Sequence, residues 1–300
     1  MEHVTSQNLI AVDGGGTRCR IVLIHKGQRH QLNVGSANVY SDFDGALRTI
    51  RNGLQSVAHL AGLSFDQIAH YPAHLGLAGV LDVEIGQRVS QSLAFTNATV
   101  TDDRITTLAG ALGRSDGCVA GIGTGSFFAR QCGQKSKLIG GYGLQLGDDA
   151  SGAWLGVKLL QYCLLVLDGF YPRSPLSDQV WDEFSNMPKR MISFAKIATA
   201  SQFGAFSPRI FEAAQAGDKT GLALVQMGAK SITSACSALG RTQDEPLVLM
   251  GGVGPHYTPF LPSEISAQCV DPKGSALDGA IYLATQHALA QAKDGTSNEL

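Results

Sequence analysis

The sequence predicts an α/β protein built twice over: two lobes, each opening with a glycine-rich hairpin, with a cleft between them. Three observations carry that expectation. An apolar run at 8–13 ends in GGGT at 14–17, and a second apolar run follows at 18–25. The pattern returns in the second half, where 118–122 leads into GTGS at 123–126 and then into 127–131. Around these hairpins, strand-like and helix-like segments alternate, the order of a layered α/β fold.

Taken in order, 30–34 reads as a third strand and GSAN at 35–38 as a loop. A helix over 42–62 places Phe43, Leu47, Ile50, Leu54, Val57 and Ala61 on one stripe, with Gly62 as its stop. Strands at 73–77 and 98–101 flank a helix at 83–93, and Asp102 and Asp103 open another helix at 105–112. The turn cluster GRSDG at 113–117 marks the boundary, which gives lobes 1–114 and 115–300. The second lobe continues with a helix ending near 168, an irregular helical stretch at 172–206 and an amphipathic helix at 219–239. A strand at 246–250 then runs into Gly251 and Gly252, and a last helix at 276–289 ends in a tail expected to fray.

Composition narrows the function. Hydrophobic residues make up 44% and charged residues 16%, enough apolar material for two cores. Lys and Arg number 23 against 25 Asp and Glu, so the net charge of -2 offers no basic face to nucleic acid or an anionic membrane. The cysteines Cys19, Cys118, Cys132, Cys163, Cys236 and Cys269 form no C-x-x-C pair and show no zinc spacing. They read as core residues of a reducing compartment. The polar start lacks the apolar stretch of a signal peptide, and the longest apolar run, 154–167, is too short for a bilayer. A soluble, cytoplasmic protein is expected.

Five motifs can carry chemistry, and each has a plainer reading. Gly14, Gly15 and Gly16 let backbone N–H groups approach phosphate oxygens, and Thr17 adds a hydroxyl. Asp13 is placed to hold Mg²⁺, directly or through water. An ordinary hairpin has the same composition. Gly123, Thr124 and Gly125 repeat this chemistry, or form a second plain turn. Asp102 and Asp103 end a strand where open α/β sheets bind ligands. One carboxylate could accept the proton of a sugar hydroxyl, and either could cap the next helix. Asp148, in GDDASG before a helix, could accept sugar hydroxyls or serve the helix start, while Asn38 could join it or shape a turn. Gly251 and Gly252 could lie flat beneath a nucleoside or simply turn the chain.

Together the segments resemble the sugar-kinase/actin/Hsp70 ATPase superfamily, and within it the N-acetylglucosamine kinases and BadF/BadG/BcrA/BcrD-type ATPases. The carrying residues are AVDGGGTRCR at 11–20, GSAN at 35–38, LGLAGV at 75–80, TDD at 101–103, GIGTGSF at 121–127 and GGYGLQLGDDASGAWLG at 140–156. AAQAGD at 213–218, LMGGV at 249–253 and GSALDGAIYLA at 274–284 complete the set over nearly the whole chain. The stretches at 164–176 and 203–218 are similar to bacterial glucosamine kinases.

The resemblance implies a two-lobed, actin-like (RNase H-like) ATPase fold, with mixed sheets, flanking helices and ATP in an interlobe cleft. It implies that Gly14 to Thr17 and the 123–125 turn meet phosphates and that Ala214 and Gly252 flank the nucleoside. Asn38, Asp103 and Asp148 would hold the sugar, with Asp103 as the catalytic acid. The group's usual pattern at 102–104 is Asn/Thr-Asp-Ala, so Arg104 stands where a small residue is usual; Asp149-Ala150 stands for Glu-Gly. The implied activity is transfer of the γ-phosphate of ATP, with Mg²⁺, to O6 of glucosamine or N-acetylglucosamine by a homodimer. The alternatives are an ATPase that activates an iron–sulfur reductase and a silent sugar sensor.

Overall fold

The structure, a computed structural model, describes residues 7–16 and 18–297; the start at 1–6, Thr17 and the last three residues lie outside the described residues. The chain divides into two units. One runs up to Arg114 and takes in the segment from Pro272 onward, and the other is Ser115–Asp271.

The first unit opens with strands β1 (Leu9–Gly14), β2 (Cys19–His25) and β3 (Gln28–Val34), joined as an antiparallel meander. Helices α1 (Phe43–Leu60) and α2 (Phe65–Ile68) lead to β4 (Ala73–Leu77), then α3 (Val83–Ser92), β5 (Ala98–Asp102) and α4 (Asp103–Leu112). The sheet order is β3-β2-β1-β4-β5, with β4 parallel to β1 and β5 parallel to β4. In the second unit β6 (Gly117–Ile122), β7 (Ser126–Cys132) and β8 (Lys135–Gly140) repeat the meander. Helices α5 (Gly152–Leu167), α6 (Pro175–Glu183), α7 (Pro188–Ile197), α8 (Ala200–Gly204), α9 (Ser207–Gln215) and α10 (Lys219–Ala238) precede β9 (Leu247–Met250). A 3-10 turn (Gly254–Phe260) and α11 (Ser263–Ser266) follow. The order β8-β7-β6-β9 matches the first sheet without its fifth strand, in whose place stands one parallel bridge between Leu247 and Cys269. The last helix, α12 (Ala276–Ser297), belongs to the first unit.

The sequence pattern explains the layers. β1 is apolar along nearly its whole length because both faces are covered. Ile10 and Val12 pack with Ile50 and Leu54 of α1, whereas Leu9 and Ala11 pack with Leu277, Ala280 and Ala284 of α12. This overturns the assignment of 115–300 to one lobe. Without α12, the face made by Leu9, Ala11, Val22 and Ile24 would stand in water, and no local signal reveals which helix covers it. The second core gathers around α5, whose Trp154, Leu155, Leu159 and Cys163 are buried.

Boundaries follow cap chemistry. Asp42 caps α1 by accepting from the Gly45 N–H at 2.9 Å, and the chain leaves the helix through Gly62 at φ +73°. α4 starts at Asp103, two residues earlier than expected, because Asp102 is the cap. β8 has no counterpart in the sequence reading, since its exposed first half carries Lys135 and Lys137 and shows no apolar alternation. The last helix also runs beyond 289, to Ser297. Among the described residues no helix is long and apolar enough to cross a membrane.

Candidate active site

In the first unit, the carboxyl ends of β1, β4 and β5 line up. Gly14 is registered with Leu77, and Leu77 with Asp102. Two strand spacings, about 10 Å, therefore separate the glycine turn from the acid pair. The three glycines have different roles. A Cβ on Gly14 would stand 2.6 Å from the Leu77 methyl and 3.0 Å from Ala37, so this glycine is demanded by packing. The Gly15 N–H closes the hairpin on the Arg18 carbonyl at 2.9 Å, which corrects the expectation that it points at phosphate. Gly16 is exposed, with open space where a Cβ would stand, and its N–H has no partner among the described residues. Thr17, expected to add a hydroxyl, lies outside them.

Asp13 forms an ion pair with Arg20, whose Nε donates to Oδ2 at 2.7 Å. Arg20 was missed by the sequence reading. It was accessible there: a hairpin closed between Gly14 and Cys19 sets residue 13 opposite residue 20. Both Arg20 bonds land on Oδ2, so the pair leaves Oδ1 for another partner.

At the end of β5, Asp102 caps α4 through the Arg104 N–H at 2.8 Å. The Arg104 guanidinium also grips it, Nε to Oδ1 at 2.8 Å and Nη2 to Oδ2 at 2.7 Å. Asp103, the first residue of the helix, is the other acid. Burial first, then the charge and contact of Asp102 and the charge of Asp13, push its carboxyl up to about 7, against a smaller pull down from Arg104. A carboxyl that titrates near neutrality can exchange a proton with a substrate.

The GSAN loop is tied to the same sheet edge. Ala37 N–H donates to Gly15 O at 3.1 Å and Val39 N–H to Ala78 O at 3.0 Å. Asn38 Oδ1 accepts from the N–H groups of Tyr40 and Ser41, at 3.0 and 3.1 Å, so the turn reading of this residue holds. Its amide nitrogen has no partner among the described residues and remains as a donor. Gly79, at φ +89°, leaves the room in which this loop sits, since a Cβ there would stand 2.7 Å from Asn38 Oδ1.

The second unit carries a parallel construction at the ends of β6 and β9. Gly123 N–H bonds Gly125 O at 2.9 Å, and the carbonyls of Gly123 and Thr124 accept from Gly152 and Ala153 at the start of α5. The N–H groups of Thr124 and Gly125 and the Thr124 hydroxyl have no partner among the described residues. Asp148 adjoins this turn, and a Cβ on Gly125 would stand 2.7 Å from Asp148 Oδ2. Burial raises the Asp148 carboxyl, and hydrogen bonds from the N–H groups of Ser126 and Gly143 pull it back. Asp148 and Ala150 sit at φ +58° and +68°, conformations that cost energy for non-glycine residues. The Tyr257 hydroxyl, buried, holds the loop by donating to Ala150 O at 2.9 Å. Beside Asp148 runs a groove of about 690 Å³, lined by Ser126, Gly140, Tyr142, Trp154 and Lys230 among others.

Gly251, expected either beneath a nucleoside or as a plain turn, lies over the end of β6 at φ +82°, where a Cβ would collide with the Ile122 carbonyl. Gly252 beside it is exposed with open space around it. Ala214 differs from expectation: it is 3% exposed in the second core, so its side chain faces protein rather than a ligand. Asn38 and Asp103 lie in the first unit and Asp148 in the second.

Among the described residues the six cysteines bring together no three-ligand metal group. Cys19, Cys118, Cys163 and Cys236 are buried, and burial pushes the first three thiols up to about 12 and Cys236 to about 11. Cys132 ends β7, next to the outer strand β8, and Cys269 adjoins β9 at the opposite edge. Among the described residues no three His, Cys, Asp or Glu side chains come together as a metal site.

Two mixed sheets of one topology, each with a glycine turn where its first hairpin bends, define an actin-like ATPase fold. The chain belongs to the BadF/BadG/BcrA/BcrD ATPase family, whose pattern matches residues 10–269. It is 30% identical over 289 residues to the glucosamine kinase GspK of Vibrio cholerae, covering 95% of this chain and 98% of that protein. It is 27% identical to the N-acetyl-D-glucosamine kinase of Dictyostelium discoideum, over 83% of this chain and 86% of that one. A crystal structure from Chromobacterium violaceum, provisionally named an N-acetylglucosamine kinase, superposes with a TM-score of 0.79 at 29% identity, over 93% of this chain and 99% of that one.

Proposed function

We propose that this chain is an ATP-dependent amino-sugar kinase that phosphorylates glucosamine or N-acetylglucosamine at O6. The observation that carries the reading is Asp103, a carboxyl at a strand end with its proton affinity raised toward neutral pH. Phosphoryl transfer to an alcohol asks little covalent chemistry of a protein. It needs a group that orients the hydroxyl and takes its proton, and donors that hold the phosphates. The names of the relatives supply the substrate class.

In this reading the first unit orients the sugar: Asp103 accepts the hydroxyl proton, and the Asn38 amide donates to a neighbouring sugar oxygen. Gly16, together with Thr17, offers donors to phosphate oxygens. In the second unit the N–H groups of Thr124 and Gly125 and the Thr124 hydroxyl do the same, Gly252 lies under the nucleoside, and Asp148 accepts from sugar hydroxyls. Asp13 Oδ1 would hold Mg²⁺, which neutralises phosphate charge when bound. One carboxylate fits that ion, which usually takes one or two carboxylates and completes its shell with phosphate and water. A cytoplasmic homodimer is part of the proposal; exposed Leu146, Phe170, Ile192 and Ile197 in the second unit support self-association, and light scattering measures it.

The test is ADP release with a panel of sugars, with the product's phosphate located by NMR. A hexosamine should give the highest kcat/KM, with phosphorus on O6, and the ratio between glucosamine and N-acetylglucosamine names the substrate. No sugar-dependent release from the panel would overturn the reading in favour of a sensor. Gly125→Ala should raise the KM for ATP by about tenfold (about 1.4 kcal/mol), because the new methyl stands 2.7 Å from Asp148 Oδ2 and the turn whose N–H groups are offered to phosphate must shift to make room. An unchanged KM would remove this turn from the phosphate site.

A further inference from the structure

Two acids stand side by side at the start of α4, and Arg104 holds the first of them by both oxygens. Its backbone N–H and Nε reach Asp102 Oδ1, each at 2.8 Å, and Nη2 reaches Oδ2 at 2.7 Å. A forked guanidinium on a carboxylate is a strong and directional contact, and here it is reinforced by the cap bond. Asp102 is therefore fixed in the cap, while Asp103 receives no such fork.

We propose that Arg104 is a positioning residue: it confines Asp102 to the cap and leaves Asp103 as the single group that takes the substrate proton. The proposal rests on the kinase reading for the identity of that proton, and on the geometry alone for the division between the acids.

Adjacent carboxyls without a counter-charge share one proton, and neither then serves as a dependable base. The charged groups that act on Asp103 are Asp13 of β1, Asp102 of β5 and Arg104 of its own helix. Arg20 of β2 offsets Asp13. From α12, Asp278 acts with Arg20 and Arg29. His74 of β4 is buried and neutral, 3.0 Å from Thr101 Oγ1. Of these, Arg104 is the cation that meets the Asp102–Asp103 pair directly, so its loss leaves three carboxyls with Arg20 alone beside them.

The experiment compares Arg104→Gln, Asp102→Asn, their double variant and Arg104→Lys. Two readouts are taken: the pH profile of kcat at saturating ATP, Mg²⁺ and sugar, and the ¹³C NMR titration of the Asp103 carboxyl, assigned by its loss in Asp103→Asn. Arg104→Gln should move the Asp103 midpoint upward by about one pH unit, which lowers kcat about fivefold at pH 7. The double variant should bring the midpoint back and restore most of the lost rate, because the charge that Arg104 compensates is gone. Arg104→Lys, which keeps the charge without the fork, should fall between. A lower kcat with an unmoved midpoint, or a double variant no better than Arg104→Gln, would overturn the proposal and leave Arg104 a merely structural residue. If no sugar supports turnover, the kinase reading fails, while the NMR midpoints still decide the role of Arg104. If Arg104→Gln does not fold, the Asp102→Asn and Arg104→Lys titrations decide it.

Discussion

Asp103→Asn is expected to lower turnover by about 10²-fold or more while sugar affinity changes little. The amide can still orient a hydroxyl but cannot accept its proton. Steady-state kinetics with a binding isotherm for the sugar would check both halves. Turnover within tenfold of the parent would move the role to Asp102. The parent enzyme should lose activity on the acid side as Asp103 takes up its proton near pH 7.

The same substitution should stabilise the fold, and the sign is set by the direction of the shift. Burial and Asp102 raise the folded-state proton affinity of Asp103 above the ordinary carboxylate value of 3.8. Its contribution to stability is therefore complete below that value and is lost as pH rises through about 7. Above neutrality the parent carries a buried charge that Asn lacks. The variant should be more stable at pH 8, by up to about 4 kcal/mol, with the difference gone by pH 4. Melting midpoints across that range measure it.

Gly279→Val is expected to unfold the first unit selectively. Gly279 of α12 and Gly110 of α4 mark a crossing so close that a Cβ on the former would collide with the Thr106 carbonyl, and one on the latter with the Ser275 carbonyl. Both obstacles are backbone, so no side chain can swing away. The cost should reach about 3 kcal/mol. α12 would then release the apolar face of Leu9, Ala11, Val22 and Ile24. Both tryptophans, Trp154 and Trp181, lie in the second unit. Circular dichroism should therefore show an early transition that tryptophan fluorescence does not. Coincident, unshifted melting curves would show that α12 does not cover this sheet.

Several site features were legible because they depend on neighbours in sequence. The hairpin at 14–17 announced itself by three glycines between apolar runs, and the cap at Asp102 by an acid before a helical stripe. The Asp13–Arg20 pair was equally available from hairpin register. Other features were not legible. That the Gly15 N–H is taken by Arg18, and that Ala214 is enclosed by core, follow from contacts no composition rule reports. Likewise Asp148 gains its proximity to Gly125 across more than twenty residues of intervening chain.

By itself, then, the chain's order of residues determined its strands, its hairpins, most of its helices and the acids available for chemistry, because periodicity and turn preference act over a few residues. Tertiary structure alone decided that α12 closes the first sheet and that Asp103 is buried beside Asp102. Those outcomes depend on which distant apolar faces find each other and on how much water remains around a charge once they have.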